Sequence, residues 1–248
     1  MSHLPKTRSL PSHSLIAGKS GYVQIINQDR LLQLAQEADG VLEVVRRPGT
    51  FVTCGCVLAV LWSATALPER LPNKVNSAFV LGPHRTMTQD AQFGFDQLVE
   101  VAARTLSPGI NDPFTAIMCL DRIGEALANL AARPIPSAFR YDADGALRVI
   151  ADSPCFADIA DAAFDQIRQY GRGSCAVTLH LLETLESVTP QACTADRAAL
   201  RRQADLIYTG RIALSAEEDR QRVAARYAQT VRALEEPPCL GLKANNHS

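Results

Sequence analysis

The chain has 248 residues, of which 47% are hydrophobic and 21% charged, and its formal net charge is −1. This composition can fill a large hydrophobic core, which excludes an intrinsically disordered chain, and the near-zero net charge gives no basic footprint for nucleic acid. Seven cysteines, an odd number without paired spacing, favour free thiols in a reducing compartment over a disulfide framework.

The N-terminal third of the chain predicts a small unit built mainly of strands. Residues 1–20 contain Ser, His and Pro but no hydrophobic stretch of a signal peptide, so we assign them to a flexible tail. Residues 21–82 then predict a small α/β unit that starts in the order β-α-β-β. Its predicted elements are a strand at 21–27, a helix at 29–39, a strand at 41–47 and a last strand at 76–82.

One run in this unit carries no charge, from Pro48 to Pro68. Two glycines interrupt it, valine is frequent, and its densest apolar part is the short stretch CVLAVLW. We interpret the run as two buried strands around a turn, with a membrane or interfacial segment as the alternative. Cys54 and Cys56 alternate by two, so we interpret them as small core residues of a strand, because no further ligands stand at zinc spacing.

The remaining chain, residues 83–236, predicts a helical domain, because its apolar residues recur with the period of a helix. Helices are predicted at 88–106, 112–132, 154–170, 175–188, 195–209 and 215–235, the second with Phe114, Ile117, Leu120, Leu127 and Ala131 on its apolar face. A β-hairpin interrupts the helices at 139–150, where Asp144-Gly145 suits a type I′ turn. Residues 237–248 are predicted to be a second tail.

The predicted fold class is therefore α+β: a small N-terminal β-rich unit followed by a mainly α-helical bundle with a β-hairpin insertion. The β part, from GYVQIIN to FVTCGCVLAVL, is similar to biotinyl/lipoyl-like hammerheads. The modified-lysine hairpin of true carriers is absent, so we expect no cofactor. We also expect no metal, because the DADG stretch at 142–145 lacks the other ligands of a calcium loop.

The most polar segment of the chain lies at residues 85–116, where two amphipathic helices flank residues 107–113. Asp112 and Pro113 suit the N-cap and the first position of the second helix. The free backbone N–H groups of that helix end, with Ser107 and Asn111 nearby, suit a polar ligand, although the Asp112 carboxylate disfavours an anion. The alternative is that the segment is only a connection between helices.

Two further hypotheses concern charged and nucleophilic groups in this segment. Arg85, Asp90 and Arg104 are predicted to meet in a buried ion-pair network. Ser107, His84 and either Asp90 or Asp112 would be the members of a hydrolytic triad. The GxSxG pattern of a nucleophile elbow does not surround the serine, so we assign no catalytic residue and keep a hydrolase as the alternative. His180, in an apolar helix, is interpreted as a structural histidine.

The segment RTMTQDAQFGFDQLVEVAARTLSPGINDPFTAIMCLDRI resembles the signature of bacterial predicted membrane proteins grouped as domain of unknown function 2254. GYVQIIN, RRPGTFVTCGCVLAVLW and AFDQIRQYG match in the same order, so that the resemblance covers about residues 20–190. The ion-pair hypothesis contributes Arg104 to the candidate ligand-binding residues, and the motif match carries the others over to Arg85, Asp90, Ser107, Asn111, Asp112 and Thr115.

In that family several membrane helices usually precede the GYVQ-like strand, whereas here only residues 1–20 precede Gly21. The resemblance therefore implies the C-terminal part alone, soluble and on the cytoplasmic side of a membrane-associated family of unknown function. We expect a ligand-sensing, regulatory or scaffolding domain rather than an enzyme. The expected partners are a second copy of the chain, through helices at 195–235, or a membrane partner or missing membrane segment, and not nucleic acid.

Overall fold

The computed structural model describes residues 9–237, which divide into two compact units. The first, here called the sheet unit, comprises the chain up to Phe93 together with Ile135–Ser153. The second, the helical unit, comprises Gly94–Pro134 and the chain from Pro154 onward. Helices account for 54% of the structure and strands for 16%, so the predicted α+β class is confirmed. The likeness of the β part to a hammerhead stays a prediction.

The sheet unit contains two sheets. Its elements are β1 (Ser12–Ile16), β2 (Gly21–Ile26), α1 (Gln28–Glu37), β3 (Gly40–Val44), β4 (Phe51–Val52), β5 (Val57–Ser63), α2 (Leu71–Ser77), β6 (Phe79–Gly82), β7 (Phe139–Tyr141) and β8 (Leu147–Ala151). The larger sheet has the order β1-β5-β3-β8-β7. Its neighbours pair antiparallel, except for the parallel pair of β3 and β8. The smaller sheet, β4-β2-β6, is antiparallel.

Helix α1 fills the core of the sheet unit with one apolar stripe. Leu31, Leu34 and Ala35 are fully buried, and their i, i+3, i+4 spacing places them on one face, where α1 packs against β3 and β8. Asn27 begins the helix, because its side chain accepts a hydrogen bond of 2.9 Å from the Arg30 N–H. This is the ordinary N-cap interaction.

The uncharged run between Pro48 and Pro68 forms β4 and β5, which confirms the prediction of two strands around a turn. Within residues 9–237, no helix has the length and apolar character needed to cross a membrane. The interpretation as core residues is wrong for Cys54, which is exposed, whereas Cys56 is partly buried and packs against the core of the sheet unit. Both belong to the turn that joins the two strands, so the alternation of a strand does not extend to them.

The predicted N-terminal tail is partly structured. Ser12–Ile16 pairs antiparallel with β5, and Leu15 is almost fully buried, because alternate residues of this strand face the core. Residues 1–8 lie outside the described residues, as does nearly all of the predicted tail at 237–248. Helix α2, which the periodicity did not predict, precedes β6 and buries only Leu71 and Val75.

The predicted hairpin at 139–150 is present as β7 and β8, but its turn is not the predicted type I′. Tyr141 pairs with Leu147, which leaves a five-residue loop, and in this loop only Gly145 has a positive φ, of 78°. Type I′ requires positive φ at both central residues. The hairpin also belongs to the sheet unit rather than to the helical domain predicted for 83–236, because β8 pairs with β3.

The helices of the second unit follow the predicted positions closely. They are α3 (Ala91–Thr105), whose first turn belongs to the sheet unit, and α4 (Pro113–Ala131), α5 (Phe156–Gly171), α6 (Cys175–Val188), α7 (Thr194–Gly210) and α8 (Glu217–Glu235). Leu120, Ile123 and Phe164 are among the fully buried side chains of their core. Helices α4 and α6 approach closely at Gly124, where a Cβ atom would lie 2.9 Å from Cγ2 of Thr184.

Candidate functional site

The seven candidate residues divide between the two units. The sheet unit holds Arg85 and Asp90. The helical unit holds Arg104, Ser107, Asn111, Asp112 and Thr115.

Arg85 and Asp90 form the ion pair that the sequence predicted. Nε of Arg85 donates to Oδ2 of Asp90 at 2.8 Å, and a terminal guanidinium nitrogen lies at the same distance from that oxygen. The carboxylate is 6% exposed, and its Oδ1 accepts the Phe93 N–H at 3.2 Å. The guanidinium also lies 4.9 Å from the centroid of the Phe93 ring, within cation–π range. Asp90 therefore joins a charged side chain to the first turn of α3.

The turn before β4 gives Asp90 its place. Gly49 in that turn has φ of 86°, a left-handed conformation that favours glycine. The Asp90 carboxylate occupies the space where a side chain at position 49 would lie. The two residues are therefore matched by backbone conformation and by the lack of a Cβ atom.

Gln89 was not singled out from the sequence, yet it ties the same segment to β2. Its Oε1 accepts the Ile26 N–H at 2.9 Å, and its Nε2 donates to the Ile26 carbonyl at 3.3 Å. A second amide, Gln24, donates to the His84 carbonyl at 2.7 Å. Both amides complete backbone hydrogen bonding beside a strand. The only signal in the sequence was their polar character next to an apolar strand.

Arg104 does not join the predicted ion-pair network. It pairs instead with Glu100 at 2.6 Å, and the two side chains are 70% and 69% exposed. They stand four residues apart on the outer face of α3, which is the usual spacing of a surface ion pair. The prediction that Arg104 is buried in an ion-pair network is therefore wrong, whereas the predicted pair of Arg85 and Asp90 forms.

The connection from α3 to α4 is closed by its own backbone. The Ser107 carbonyl accepts the N–H groups of Ile110 and Asn111 at 3.0 and 2.9 Å, and the Thr105 carbonyl accepts the Asp112 N–H at 2.8 Å. Asn111 has φ of 48°, a conformation that asparagine tolerates better than most residues. These contacts favour the interpretation of the segment as a tight connection between helices.

Asp112 is the N-cap of α4, as predicted, and Pro113 is its first residue. One carboxylate oxygen accepts the N–H groups of Phe114 and Thr115 at 3.1 and 3.2 Å, and the other accepts the Thr115 hydroxyl at 2.6 Å. The hydroxyl bond, followed by the backbone bonds, holds the pKa of Asp112 below its ordinary value. The cap thus uses the N–H groups that the ligand hypothesis assigned to a ligand.

The carboxylates of the hypothetical triad are engaged in other bonds. Asp90 accepts from Arg85 and Phe93, and Asp112 caps α4. His180 lies between two carboxylates, with Nε2 2.7 Å from Asp121 and Nδ1 3.1 Å from Glu183, so it links α4 to α6 through hydrogen bonds. In the part of the chain that the structure describes, no group of three or more His, Cys, Asp or Glu residues could hold a metal ion.

Apolar side chains of the same segment face outward. Phe114 is 79% exposed, Met118 66% and Ile110 55%. The prediction that Phe114 belongs to the buried face of α4 is therefore wrong, because that face begins at Ala116, Cys119 and Leu120. A groove of about 420 Å³ adjoins α4 and is lined by Leu98, Thr115, Met118, Cys119, Asp121 and Arg122.

Comparison with known proteins places most of the chain in one group. A family described as "Predicted membrane protein (DUF2254)" matches residues 2–187. An uncharacterized protein of Mycobacterium tuberculosis (Rv1290c) and one of Mycobacterium bovis (Mb1321c) are each 31% identical to this chain over 233 residues. The match covers 91% of this chain but only 44% of each relative. No solved structure matches.

Proposed function

This chain belongs to the DUF2254 family of predicted membrane proteins, and from that premise we propose that it is a scaffolding domain that binds an apolar segment of a membrane partner. One observation carries the proposal: near the start of α4, carboxylates of the segment that resembles the family signature are bonded within the chain, whereas neighbouring apolar side chains are exposed. Asp90 and Asp112 hold helix ends and an arginine, whereas Phe114 and Met118 face outward. Exposed apolar side chains that lie together are typical of interaction surfaces.

We call Phe114 and Met118 the α4 apolar surface. Phe114 and Met118 stand four residues apart and are therefore neighbours on one face of the helix. Aromatic residues and methionine are enriched at protein interfaces, and a pair at this spacing is what a second helix packs against. Met118 also lines the groove beside Leu98 and Cys119. The surface therefore combines exposed side chains with a groove that a side chain of a partner can enter.

The partner segment is proposed from the family and from the length of the relatives. The matched region is less than half of each mycobacterial relative, and the family is described as a membrane protein. We take the occupant of the α4 apolar surface to be an apolar helical segment from the uncovered part of such a relative. The free cysteines among the described residues support a position on the reducing, cytoplasmic side of the membrane.

Co-sedimentation tests this proposal. Membrane vesicles that contain the uncovered part of the M. tuberculosis relative are mixed with the purified full chain, and vesicles without it serve as the reference. We expect binding to the first vesicles only, and at least a tenfold loss for the double variant Phe114→Ser/Met118→Ser, since interface anchors commonly contribute 2 kcal/mol or more, roughly thirtyfold in affinity. Ile212→Ser is the matched control, because Ile212 is equally exposed, at 76%, elsewhere in the helical unit.

Three results would overturn the proposal. Equal binding to both kinds of vesicle would identify a lipid surface instead of a protein segment. Self-association in analytical ultracentrifugation that the double variant abolishes would identify a second copy of the chain as the occupant. Unchanged binding by the double variant would remove the α4 apolar surface from the interaction. The urea midpoint of each variant shows whether its fold is retained.

Ligand sensing and the hydrolase alternative remain separate hypotheses. A ligand at the Ser107–Thr115 connection would have to displace the cap contacts of Asp112. Native mass spectrometry of the freshly purified chain distinguishes these roles from scaffolding, because a retained small molecule would favour sensing. A hydrolase would turn over ester substrates in a manner abolished by Ser107→Ala.

A further inference from the structure

The turn between β4 and β5 carries two cysteines, Cys54 and Cys56, with one residue between them. The Cys56 N–H donates to the Thr53 carbonyl at 3.0 Å, which closes a β-turn over residues 53–56. Gly55 supplies its third residue with φ of 87°. Cys54 is exposed, Cys56 is partly exposed, and both are free.

Neighbouring backbone holds the turn in place. The Gly55 N–H donates to the Ala17 carbonyl at 2.9 Å, and the Ala17 N–H donates to the Cys56 carbonyl at 2.7 Å. The Ser20 hydroxyl accepts the Cys54 N–H at 2.9 Å. The two cysteines are therefore presented by an ordered turn, although they lie on an exposed loop.

The two thiols have different surroundings. Sγ of Cys56 and the Thr53 hydroxyl share a hydrogen bond of 3.0 Å, and Sγ of Cys54 donates to the Gly18 carbonyl at 3.5 Å. Thr53, first through its hydroxyl and then through its backbone, holds the pKa of Cys56 below its ordinary value, and Arg46 adds a smaller effect. A thiolate is the reactive form of cysteine, so Cys56 is the better nucleophile.

We propose that Cys54 and Cys56 form a dithiol redox site that exchanges with small disulfides such as oxidised glutathione. Residues two apart have Cα atoms separated by at most about 7.2 Å in a fully extended chain, and a turn shortens this distance into the range of roughly 4.4–6.8 Å that disulfides need. This proposal is independent of the proposed scaffolding function.

The exchange takes place in two steps. The Cys56 thiolate attacks one sulfur of the small disulfide, which forms a mixed disulfide and releases one small thiolate. Cys54 then loses its proton to solvent, and its sulfur attacks Sγ of Cys56 and releases the second small thiolate. Two cysteine thiols are oxidised to one disulfide, one small disulfide is reduced to two thiols, and the released thiolates take up the two protons.

No other two cysteines are close neighbours in the sequence, so the other thiols provide internal references. Cys155 is exposed but has no cysteine beside it in the sequence, and Cys119 is buried. A mixed disulfide formed at Cys155 would therefore have no neighbouring cysteine in the sequence to resolve it, and it should persist. This difference separates a dithiol site from the ordinary oxidation of exposed thiols.

Peptide mass spectrometry after redox equilibration tests the proposal. The reduced full chain is incubated in mixtures of reduced and oxidised glutathione, quenched with acid, alkylated and digested. We expect the peptide with Cys54 and Cys56 to lose two hydrogens and to carry little glutathione, whereas Cys155 carries glutathione. Cys54→Ser should trap glutathione on Cys56, and Thr53→Val should slow the alkylation of Cys56 about three- to tenfold at neutral pH. Cys155→Ser is the matched control and should change neither result.

Several outcomes would contradict the site. Separate glutathione adducts on Cys54 and Cys56, with no internal disulfide, would show that the pair does not close. An internal disulfide that forms only in denaturant would show that the folded turn prevents it. Trapping on Cys54 in Cys56→Ser, with no trapping on Cys56 in Cys54→Ser, would overturn the assigned order of attack.

Discussion

The carboxylate of Asp90 occupies the space beside Gly49 that any larger residue would need. The glycine stands in the turn before β4, and the aspartate precedes α3. One close approach therefore fixes a turn, an ion pair and the start of a helix together. The Asp90 carboxylate therefore has a structural role.

Replacing Gly49 should test this approach directly. We expect Gly49→Ala to lower the free energy of unfolding by about 2–4 kcal/mol, because the positive φ and the displaced Asp90 carboxylate both cost energy. Gly55→Ala is the matched control, since its φ is almost the same, at 87°, but nothing lies within 4 Å of the added Cβ. It should cost only about 1–2 kcal/mol. Urea denaturation measures both, and equal losses would refute the role of Asp90.

The Arg85–Asp90 pair should contribute more to stability than the exposed Arg104–Glu100 pair. We expect Asp90→Asn to lower the free energy of unfolding by about 2–3 kcal/mol, because it removes a buried carboxylate that two guanidinium nitrogens of Arg85 contact at 2.8 Å. The comparison is Glu100→Gln, which removes the exposed partner of Arg104 and should cost no more than about 0.5 kcal/mol. Similar urea midpoints for the two variants would contradict this ranking.

Asp112 should contribute to the loss of stability in acid. Because its pKa is lowered in the folded chain, its contribution is present above the unfolded-state pKa of roughly 3.9 and is lost as the pH falls through the lower folded-state pKa. Asp112→Asn should therefore reduce stability near pH 7 and flatten its dependence on pH between about 5 and 2. Urea midpoints measured across this range provide the test. A variant with unchanged pH dependence would show that the cap does not lower the pKa.

The contact between α4 and α6 at Gly124 predicts that the effect of Gly124→Ala on stability changes sign with the residue at position 184. Gly124→Ala should lower the free energy of unfolding by about 1 kcal/mol, because the new Cβ atom meets Cγ2 of Thr184. In the Thr184→Ser background that methyl group is absent, and the same change should instead raise stability by a few tenths of a kcal/mol, since alanine is the better helix former. A double-mutant cycle measures the coupling. Additive effects would exclude the steric contact.

Local pattern predicted most of the elements but few of the side-chain partners. The helix ends of α4 and α6 follow from Asp112 and Ser174, which cap them, because a cap acts within one turn. The apolar stripe predicted for α4 nevertheless included Phe114, which lies on the exposed side. Periodicity gives the direction of a stripe but not where its buried part begins, which depends on the packing of other helices.

The misassigned residues have different causes. Arg104 pairs with Glu100, four residues earlier on the same helix, which is a local pattern. Gln89 bonds to a strand more than sixty residues earlier in the chain, and the turn with Cys54 and Cys56 is held by bonds to Ala17 and Ser20. Such distant contacts cannot be inferred from a single sequence.

The parallel pairing of β3 with β8 has a consequence for the order in which the chain can fold. Leu42 pairs with Val149, and α3 and α4 lie between these two residues in the chain. The larger sheet therefore stays incomplete during synthesis until β8, which follows α4, has been made. Until then one edge of β3 has no partner from β8, and pairing across such a long loop is slow. A nascent chain stopped after α4 would expose that edge to pairing with other chains. Residues 139–151 should therefore protect the chain from aggregation once they are made, because β8 covers the edge of β3.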